Sequence, residues 1–387
     1  MFLSLIALAT AIATPDTPVT NAAEGDGRCR LDTGWHHVAL RSSKGLVIPG
    51  AVGGRRTSML IDTGSPDTVV DQRLAPPAGA NEPVIEEHWN VGTFRVTRRR
   101  NLAIIVAGHR VDLRQYEATD LSSQDAGEGS PGVIIGQDLL SSCVIDIDSD
   151  RQRVRVRPPG QSQQADTTLE LTAFAGSTYM MTQIRTPSGR IYPAEIDTGS
   201  QIELEMDERL IGEAGFLSSP VTTTVMPSSN QTFIVRNIIR APSIGLGKEG
   251  AADLEVYIHK RDPTSTFLST IGLPLLSRFN VSIDLKNRLL QLGRRATPAS
   301  PQPRSTTGVV ATPSDRQLKV LHVMNNSPAL EAGLRPGDRI CKVNNHAIPK
   351  HYFRSNFIGW QSAPAGQNIT LYLCDGRVVH IKSKVFY

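Results

Sequence analysis

The sequence predicts a mainly β protein: two pseudo-symmetric β lobes followed by a small, separate C-terminal module. Three observations predict this. The first is an internal repeat. Ile61-Asp62-Thr63-Gly64-Ser65 recurs as Ile196-Asp197-Thr198-Gly199-Ser200, an offset of 135 residues. Asp71-Gln72-Arg73-Leu74 recurs as Asp207-Glu208-Arg209-Leu210, and Ile135-Gly136-Gln137-Asp138-Leu139-Leu140-Ser141 as Ile271-Gly272-Leu273-Pro274-Leu275-Leu276-Ser277, both at 136. Separated blocks in one register indicate a duplicated unit, with a period too long for a solenoid. The second is local pattern, since short apolar or alternating runs end at turn residues. The third is a change of character after residue 306, where helix punctuation appears.

Residues 1–22 read as an export signal and leader. Phe2–Ala13 is apolar, Ala11-Ile12-Ala13 offers a small-residue cleavage site, and no Lys or Arg precedes Arg28. The alternative is a buried strand or helix of the mature fold. The first lobe spans 30–158. Thr57–Ile61 runs extended into the first Asp, and Val144–Asp148 with Val154–Val156 reads as a hairpin. The second lobe, 166–294, repeats it, with Val281–Leu285 and Leu289–Leu292 as its hairpin. Short helices are expected only around Leu74 and Leu210 and at Asp138–Ser142. Residues 295–306 form an exposed, semi-rigid linker holding Pro298, Pro301 and Pro303. In the module, 307–387, Ser327 caps a helix, Pro328 opens it and Gly333 closes it.

Composition narrows the function. Hydrophobic residues at 39% and charged residues at 20% suit packed cores rather than disorder. No apolar run reaches the roughly 18 residues of a membrane-spanning helix, so no integral membrane segment is expected in the mature chain. A net charge of +4 over 387 residues does not suggest nucleic acid as a partner. That charge is uneven. From Arg304 onward eleven Lys and Arg face four Asp and Glu, leaving +7 there and −3 elsewhere. The four cysteines fit no zinc spacing. In an exported chain they allow two disulfides and three connectivities, of which Cys29–Cys143 with Cys341–Cys374 keeps pairing within regions.

Two Asp-Thr-Gly-Ser turns, each behind an apolar strand and one per repeat, carry the chemistry. Pseudo-symmetric lobes can bring Asp62 and Asp197 face to face, and two carboxylates that close share one proton. The ionised one can then activate water while the protonated one polarises a carbonyl. Gly64 and Gly199 let backbone amides approach. Thr63, Thr198, Ser65 and Ser200 can hold the loops and donate to the outer carboxylate oxygens.

At these residues the chain resembles the retropepsin/pepsin clan of aspartic peptidases, bacterial retropepsin-like, with both lobes in one chain. Val133-Ile134-Ile135-Gly136 and Ser269-Thr270-Ile271-Gly272 match that clan's second motif, which packs behind the first in a psi-shaped loop. The resemblance implies Asp62 and Asp197 as catalytic, and Thr63 and Thr198 in a hydrogen-bond grip between lobes. It implies no cofactor, no metal and no homodimer, so a monomer is expected. Asp138 follows the clan's pattern, whereas Pro274 in the second copy departs from it. Val91-Gly92-Thr93 and Met226-Pro227-Ser228-Ser229 are the best hairpin tips for a flap.

The module resembles a bacterial PDZ domain, through Ser327-Pro328-Ala329, Ala332–Ile340 and Gly366–Leu371. By that resemblance Gly308, Val309 and Val310 would receive a peptide's C-terminal carboxylate through strand addition. A helix containing Tyr352, Phe353, Phe357 and Ile358 would line the other wall. The expectation is therefore an exported, periplasmic or secreted, aspartic endopeptidase whose PDZ module recruits protein or peptide substrates. The rival is a non-catalytic envelope protein that binds peptides with the same lobes. Other signals are weaker. Gly245–Gly250 fits a nucleotide-loop pattern but reads as a hairpin loop. Asp146–Asp150 fails as a calcium loop, adjacent His36 and His37 point apart, and Arg98–Arg100 reads as a solvated turn.

Overall fold

A computed structural model describes residues 28–387 apart from 41–44, 78, 80–81, 90–91, 123–129, 161–164, 174–178, 217–219, 228–232 and 261–268. The leader 1–22 lies outside the described residues, as do Val91, Ser228 and Ser229 at the two hairpin tips. Within the described residues the protein is mainly β, and its α-helices span only four to six residues. None of them is long and apolar enough to cross a membrane.

The first copy of the repeat forms a seven-stranded sheet in the order Val47–Val52, Arg55–Ile61, Val133–Ile135, Val69–Asp71, His109–Thr119, Gly92–Val106, Val84–Trp89. Most of the second copy forms an eight-stranded sheet. Its order is Thr172–Ala173, Met180–Arg185, Ile191–Asp197, Ser269–Gly272, Leu204–Asp207, Glu249–His259, Phe233–Leu246, Thr222–Pro227. The repeated blocks occupy matching places. Arg55–Ile61 lies parallel to Val133–Ile135, with Leu60 opposite Ile134, and Val69–Asp71 pairs antiparallel on the far side. In the second sheet Ile191–Asp197 lies parallel to Ser269–Gly272, with Glu195 opposite Thr270, and Leu204–Asp207 takes the antiparallel place. The central segments are buried on both faces; Val133–Ile135 is accordingly a continuous apolar run, whereas Ser269–Gly272 buries a serine and a threonine.

A third sheet joins the copies. The hairpin Val144–Asp148 and Arg153–Arg157 meets the hairpin Asn280–Asp284 and Leu289–Gly293 through an antiparallel pairing that sets Ile145 opposite Ile283. His36–His37 and Thr167–Glu170 form its edges. Alternation buries Val154 and Val156 and turns Arg153, Arg155 and Arg157 outward. Arg155 and Arg157 pair with buried Asp146, while the Arg153 and Arg155 guanidiniums lie over Trp35. One apolar core runs continuously through both copies.

In the repeat, one expected helix is absent and one unexpected helix forms. Gln137–Leu140 and Glu208–Glu213 form, as does Leu273–Leu276, the counterpart of the first. Around Leu74 there is only a turn, in which Leu74 and Ala75 both donate to the Asp71 carbonyl. Pro76 and Pro77 follow at once and cannot extend a helix, whereas the second copy continues as Ile211-Gly212-Glu213. Arg98–Arg100 is no turn either. It lies inside the strand Gly92–Val106, where Arg98 pairs with Glu117 and buried Arg99 with Glu82 and the Pro76 carbonyl.

The C-terminal module has its own sheet, ordered Val309–Ser314, Gln317–Val323, Arg339–Val343, Asn368–Leu373, Val378–Lys382, and its own core. Ser327 accepts from the Leu330 N–H to cap Pro328–Glu331, and Gly333 ends that turn at φ +79°. The expected helix at Tyr352–Ile358 is instead two 3₁₀ segments, Tyr352–Arg354 and Asn356–Ser362, broken by extended Ser355. Buried Tyr352 accepts from the Trp360 indole N–H at 3.0 Å and takes edge contacts from Phe353 and Phe357. This packing overrides a weak helical preference. The disulfides are Cys29–Cys143 and Cys341–Cys374.

Candidate active site

The two Asp-Thr-Gly-Ser turns meet where the sheets face each other. A Cβ added to Gly64 would lie 2.5 Å from the Asp197 Cγ, and one on Gly199 would lie 2.4 Å from the Asp62 Cγ. Each glycine therefore lets one turn's backbone touch the other turn's carboxyl group. Thr63 and Thr198 lock the turns together reciprocally. The Thr63 N–H donates to Thr198 Oγ1 and the Thr198 N–H to Thr63 Oγ1, each at 3.0 Å. Thr63 Oγ1 donates to the Ile196 carbonyl at 2.6 Å and Thr198 Oγ1 to the Ile61 carbonyl at 2.9 Å.

Backbone amides hold the outer carboxylate oxygens. Asp62 Oδ1 accepts from the Gly64 N–H at 2.8 Å. Asp197 Oδ1 accepts from Gly199 at 2.8 Å and Ser200 at 2.9 Å. The expected hydroxyl donors act elsewhere. Both threonines donate to carbonyls, and Ser65 Oγ donates to the Asp67 carbonyl at 2.8 Å. Ser200 Oγ receives the Ile202 N–H. The turns are too tight to spare a hydroxyl, because their own amides already point at the carboxylates.

Both aspartates are 0% exposed. Their Oδ2 atoms have no hydrogen-bond partner among the described residues. Two carboxyl groups crowded together out of water do not both carry charge readily, so the pair holds a proton. Burial pushes the Asp62 carboxyl up to about 6, against the opposing pull of the Gly64 amide. Asp197 goes well above the usual carboxylate range, through burial first, then the charge of Asp62 and that of Glu195. Both carboxyls are thus shifted upward, and their two titrations belong to the pair.

Three residues near the dyad were not singled out from sequence. Buried Gln137 donates from Nε2 to the Thr63 carbonyl at 2.7 Å, bracing the first turn from behind. Glu195, 0% exposed, and Glu205, 3% exposed, stand in the strands on either side of Ser269–Gly272, both opposite Thr270. The available signal was the repeat itself, which matches Glu195 with Leu60 and Glu205 with Val69. Among the described residues no cluster of His, Cys, Asp and Glu could hold a metal.

The two hairpins flank the site. Val84–Trp89 pairs with Gly92–Val106, and Thr222–Pro227 with Phe233–Leu246. Leu60, Val69 and Ile134 pack in an apolar cluster with Val96 of the first hairpin, Met226 and Ile238 of the second, and Met324 and Tyr387 of the module.

The module is bound to the second hairpin. Thr222 Oγ1 donates to the Asn325 carbonyl at 2.6 Å, the Asn325 N–H donates to Thr223 Oγ1 at 3.1 Å, and Thr223 Oγ1 bonds His322 Nε2 at 2.8 Å. Tyr387 donates its hydroxyl to buried Glu255, and Arg304 bridges Asp253 and the Tyr387 carbonyl. The segment 295–306 is thereby laid along the body. Gly308 has φ +80°, and a Cβ there would strike Ser327 at 2.0 Å. Its N–H donates to Ser305 Oγ, and those of Thr306 and Thr307 donate to the Gln361 carbonyl. Val309 and Val310 begin the edge strand of the module sheet, opposite Val323 and His322. No protein-family model matches the chain, and no curated protein matches it.

Proposed function

We propose that the protein is an aspartic endopeptidase of the retropepsin/pepsin type that hydrolyses peptide bonds with an Asp62/Asp197 dyad. One observation carries the reading: two carboxyl groups lie buried at the meeting of the two turns, each held from outside by backbone amides. In the productive complex Asp62, ionised, takes a proton from water as its oxygen attacks the carbonyl carbon. Asp197 gives its proton to the carbonyl oxygen. The tetrahedral diol then collapses, the proton held by Asp62 goes to the leaving nitrogen, and the C–N bond breaks. A hydroxyl proton returns to Asp197 as the new carboxylic acid forms. The sequence of steps needs only water and the two carboxyls.

Both aspartates belong to one chain, which supports a monomer as the working unit. Two disulfides support an exported, periplasmic or secreted, location. The strand Val309–Ser314, which ends the module sheet, supports the module as a PDZ-type recruiter of peptide C-termini by strand addition once the Val309 carbonyl is released from Gln361. Because the amides of Thr306, Thr307 and Gly308 are engaged internally, a peptide there relies on the edge strand.

The rival, a peptide-binding protein without turnover, draws on the complete burial of the dyad, which requires the hairpins to move before any peptide reaches it. Cleavage of a mixed peptide library between pH 4 and 7.5 decides. Wild type is expected to cleave, and Asp62→Asn and Asp197→Asn to lose turnover while remaining folded. Peptide binding without cleavage by wild type supports the rival.

A further inference from the structure

The walls beside the dyad differ chemically. On the first sheet, Leu60, Ile134 and Val69 sit opposite one another across three neighbouring strands. On the second, the matching positions are Glu195, Thr270 and Glu205. Leu60 and Glu195 each stand two residues before their aspartate, on the same face of the strand. The row of three therefore adjoins the carboxyl dyad on each side. The proximity is also electrostatic, since the Asp62 charge acts on Glu195 and the Glu195 charge on Asp197.

The acidic row is incompletely satisfied. Glu195 Oε2 receives only the Thr270 hydroxyl, at 3.4 Å, and Glu195 Oε1 has no partner among the described residues. Glu205 Oε2 is likewise without one, while Glu205 Oε1 lies 3.7 Å from His259 Nδ1 and feels the Arg236 charge. Met181, opposite Glu195 on the remaining neighbour strand, brings no polar group. Buried acceptors without donors carry a desolvation penalty that an incoming cation offsets.

Resting on the peptidase reading above, we propose that this wall is a subsite for a basic side chain, Lys or Arg. Glu195 and Glu205 select it, opposite an aliphatic subsite formed by Leu60, Ile134 and Val69. An extended peptide directs successive side chains to opposite sides. With its scissile bond at the dyad, one flanking residue meets the aliphatic row and the other the acidic row. The aliphatic row offers an apolar surface once the side chains packed on it here move aside. Burial holds both carboxyls above the usual range, so an ammonium or guanidinium beside them draws them into the ionised form and gains charge-assisted hydrogen bonds that a neutral residue does not. The substrate class is therefore a protein segment with a large aliphatic and a basic residue astride the cleaved bond.

The test compares kcat/KM for peptides carrying Leu-Lys and Lys-Leu at the cleaved bond with peptides in which norleucine replaces Lys. Wild type is expected to favour Lys by tenfold or more in one of the two orders. The double variant Glu195→Gln, Glu205→Gln should lose that preference, read as the ratio of kcat/KM for the Lys and norleucine peptides at whatever absolute rate the variant retains. Should the double variant not fold, Glu195→Gln alone serves, with a preference reduced several-fold. Equal cleavage of Lys and norleucine peptides by wild type overturns the proposal, as does a Lys preference that survives the substitutions. A shifted pH profile with unchanged Lys preference overturns it too, assigning Glu195 to tuning the dyad alone. If wild type cleaves none of the peptides, the peptidase reading fails separately. Calorimetric binding of the same peptides then decides, because tighter binding of the Lys peptide keeps the acidic subsite and equal binding removes it.

Discussion

The two copies of the repeat place the same turn in the same strand frame, yet surround it differently. In the first, Asp62 has an aliphatic row beside it and Gln137 behind its turn. In the second, Asp197 has Glu195 and Glu205 beside it, and Leu273 where Gln137 would be. Topology is conserved between the copies because backbone pairing and apolar strand cores fix it. Side chains next to the dyad are free to diverge because they do not. The consequence is functional polarity: near-symmetric carboxyls acquire different proton affinities, and near-symmetric walls acquire different chemistry.

The largest effect should come from abolishing the pair. Asp62→Asn and Asp197→Asn should each lower kcat by roughly 10²–10⁴-fold, read as peptide turnover with the circular dichroism unchanged. Equal losses would show that the two copies depend on each other rather than contributing separately.

Next is the reciprocal grip. Thr63→Val removes a hydroxyl that donates to the Ile196 carbonyl and accepts from the Thr198 amide, stranding both inside the protein. A loss of about 2–4 kcal/mol in denaturant unfolding is expected, with Thr63→Ser close to wild type. Thr198→Val should match it, and the double variant should fall short of the sum, because each threonine's bonds serve the other.

Stability should also depend on pH in an unusual direction. Asp62 binds its proton more tightly folded than unfolded, with about 6 against an ordinary 3.8. Its stabilising contribution is full below about pH 4 and disappears as pH rises through about 6. Asp62→Asn removes that loss. The variant's stability relative to wild type should rise by about 2–3 kcal/mol between pH 4 and pH 8 in urea unfolding. A pH-independent difference would mean that the Asp62 carboxyl is not perturbed by burial. The smallest effect sharpens the comparison directly. Gln137→Leu, which gives the first copy the second copy's residue, removes the bond to the Thr63 carbonyl and should cost about 1 kcal/mol.

Much of the frame was legible in the sequence because it rests on short-range rules. The repeat register located the matching strands, turn residues closed the hairpins, and Ser327-Pro328 with Gly333 marked the short helix. What escaped depends on three-dimensional neighbours. The Leu74 segment matched a helical counterpart, but the prolines after it decided the outcome. Tyr352–Ile358 contains plausible helix formers, yet the Tyr352–Trp360 contact broke it in two. Arg98–Arg100 reads as a solvated turn; Arg98 and Arg100 are exposed, but the segment is a strand, and Arg99 is buried beside Glu82. At the site, Asp62 and Asp197 stood out by their motif. Glu195 and Glu205 carried no motif, and only their position across from Thr270 gives them meaning.

The most direct test of the shared-proton dyad is the pH dependence of kcat/KM for a peptide that the protein cleaves. A bell is predicted, rising as Asp62 ionises near pH 6 and falling at higher pH as Asp197 loses its proton, with turnover lost in either Asn variant. A rate that climbs monotonically above pH 8, or a profile that survives Asp197→Asn unchanged, would contradict the account.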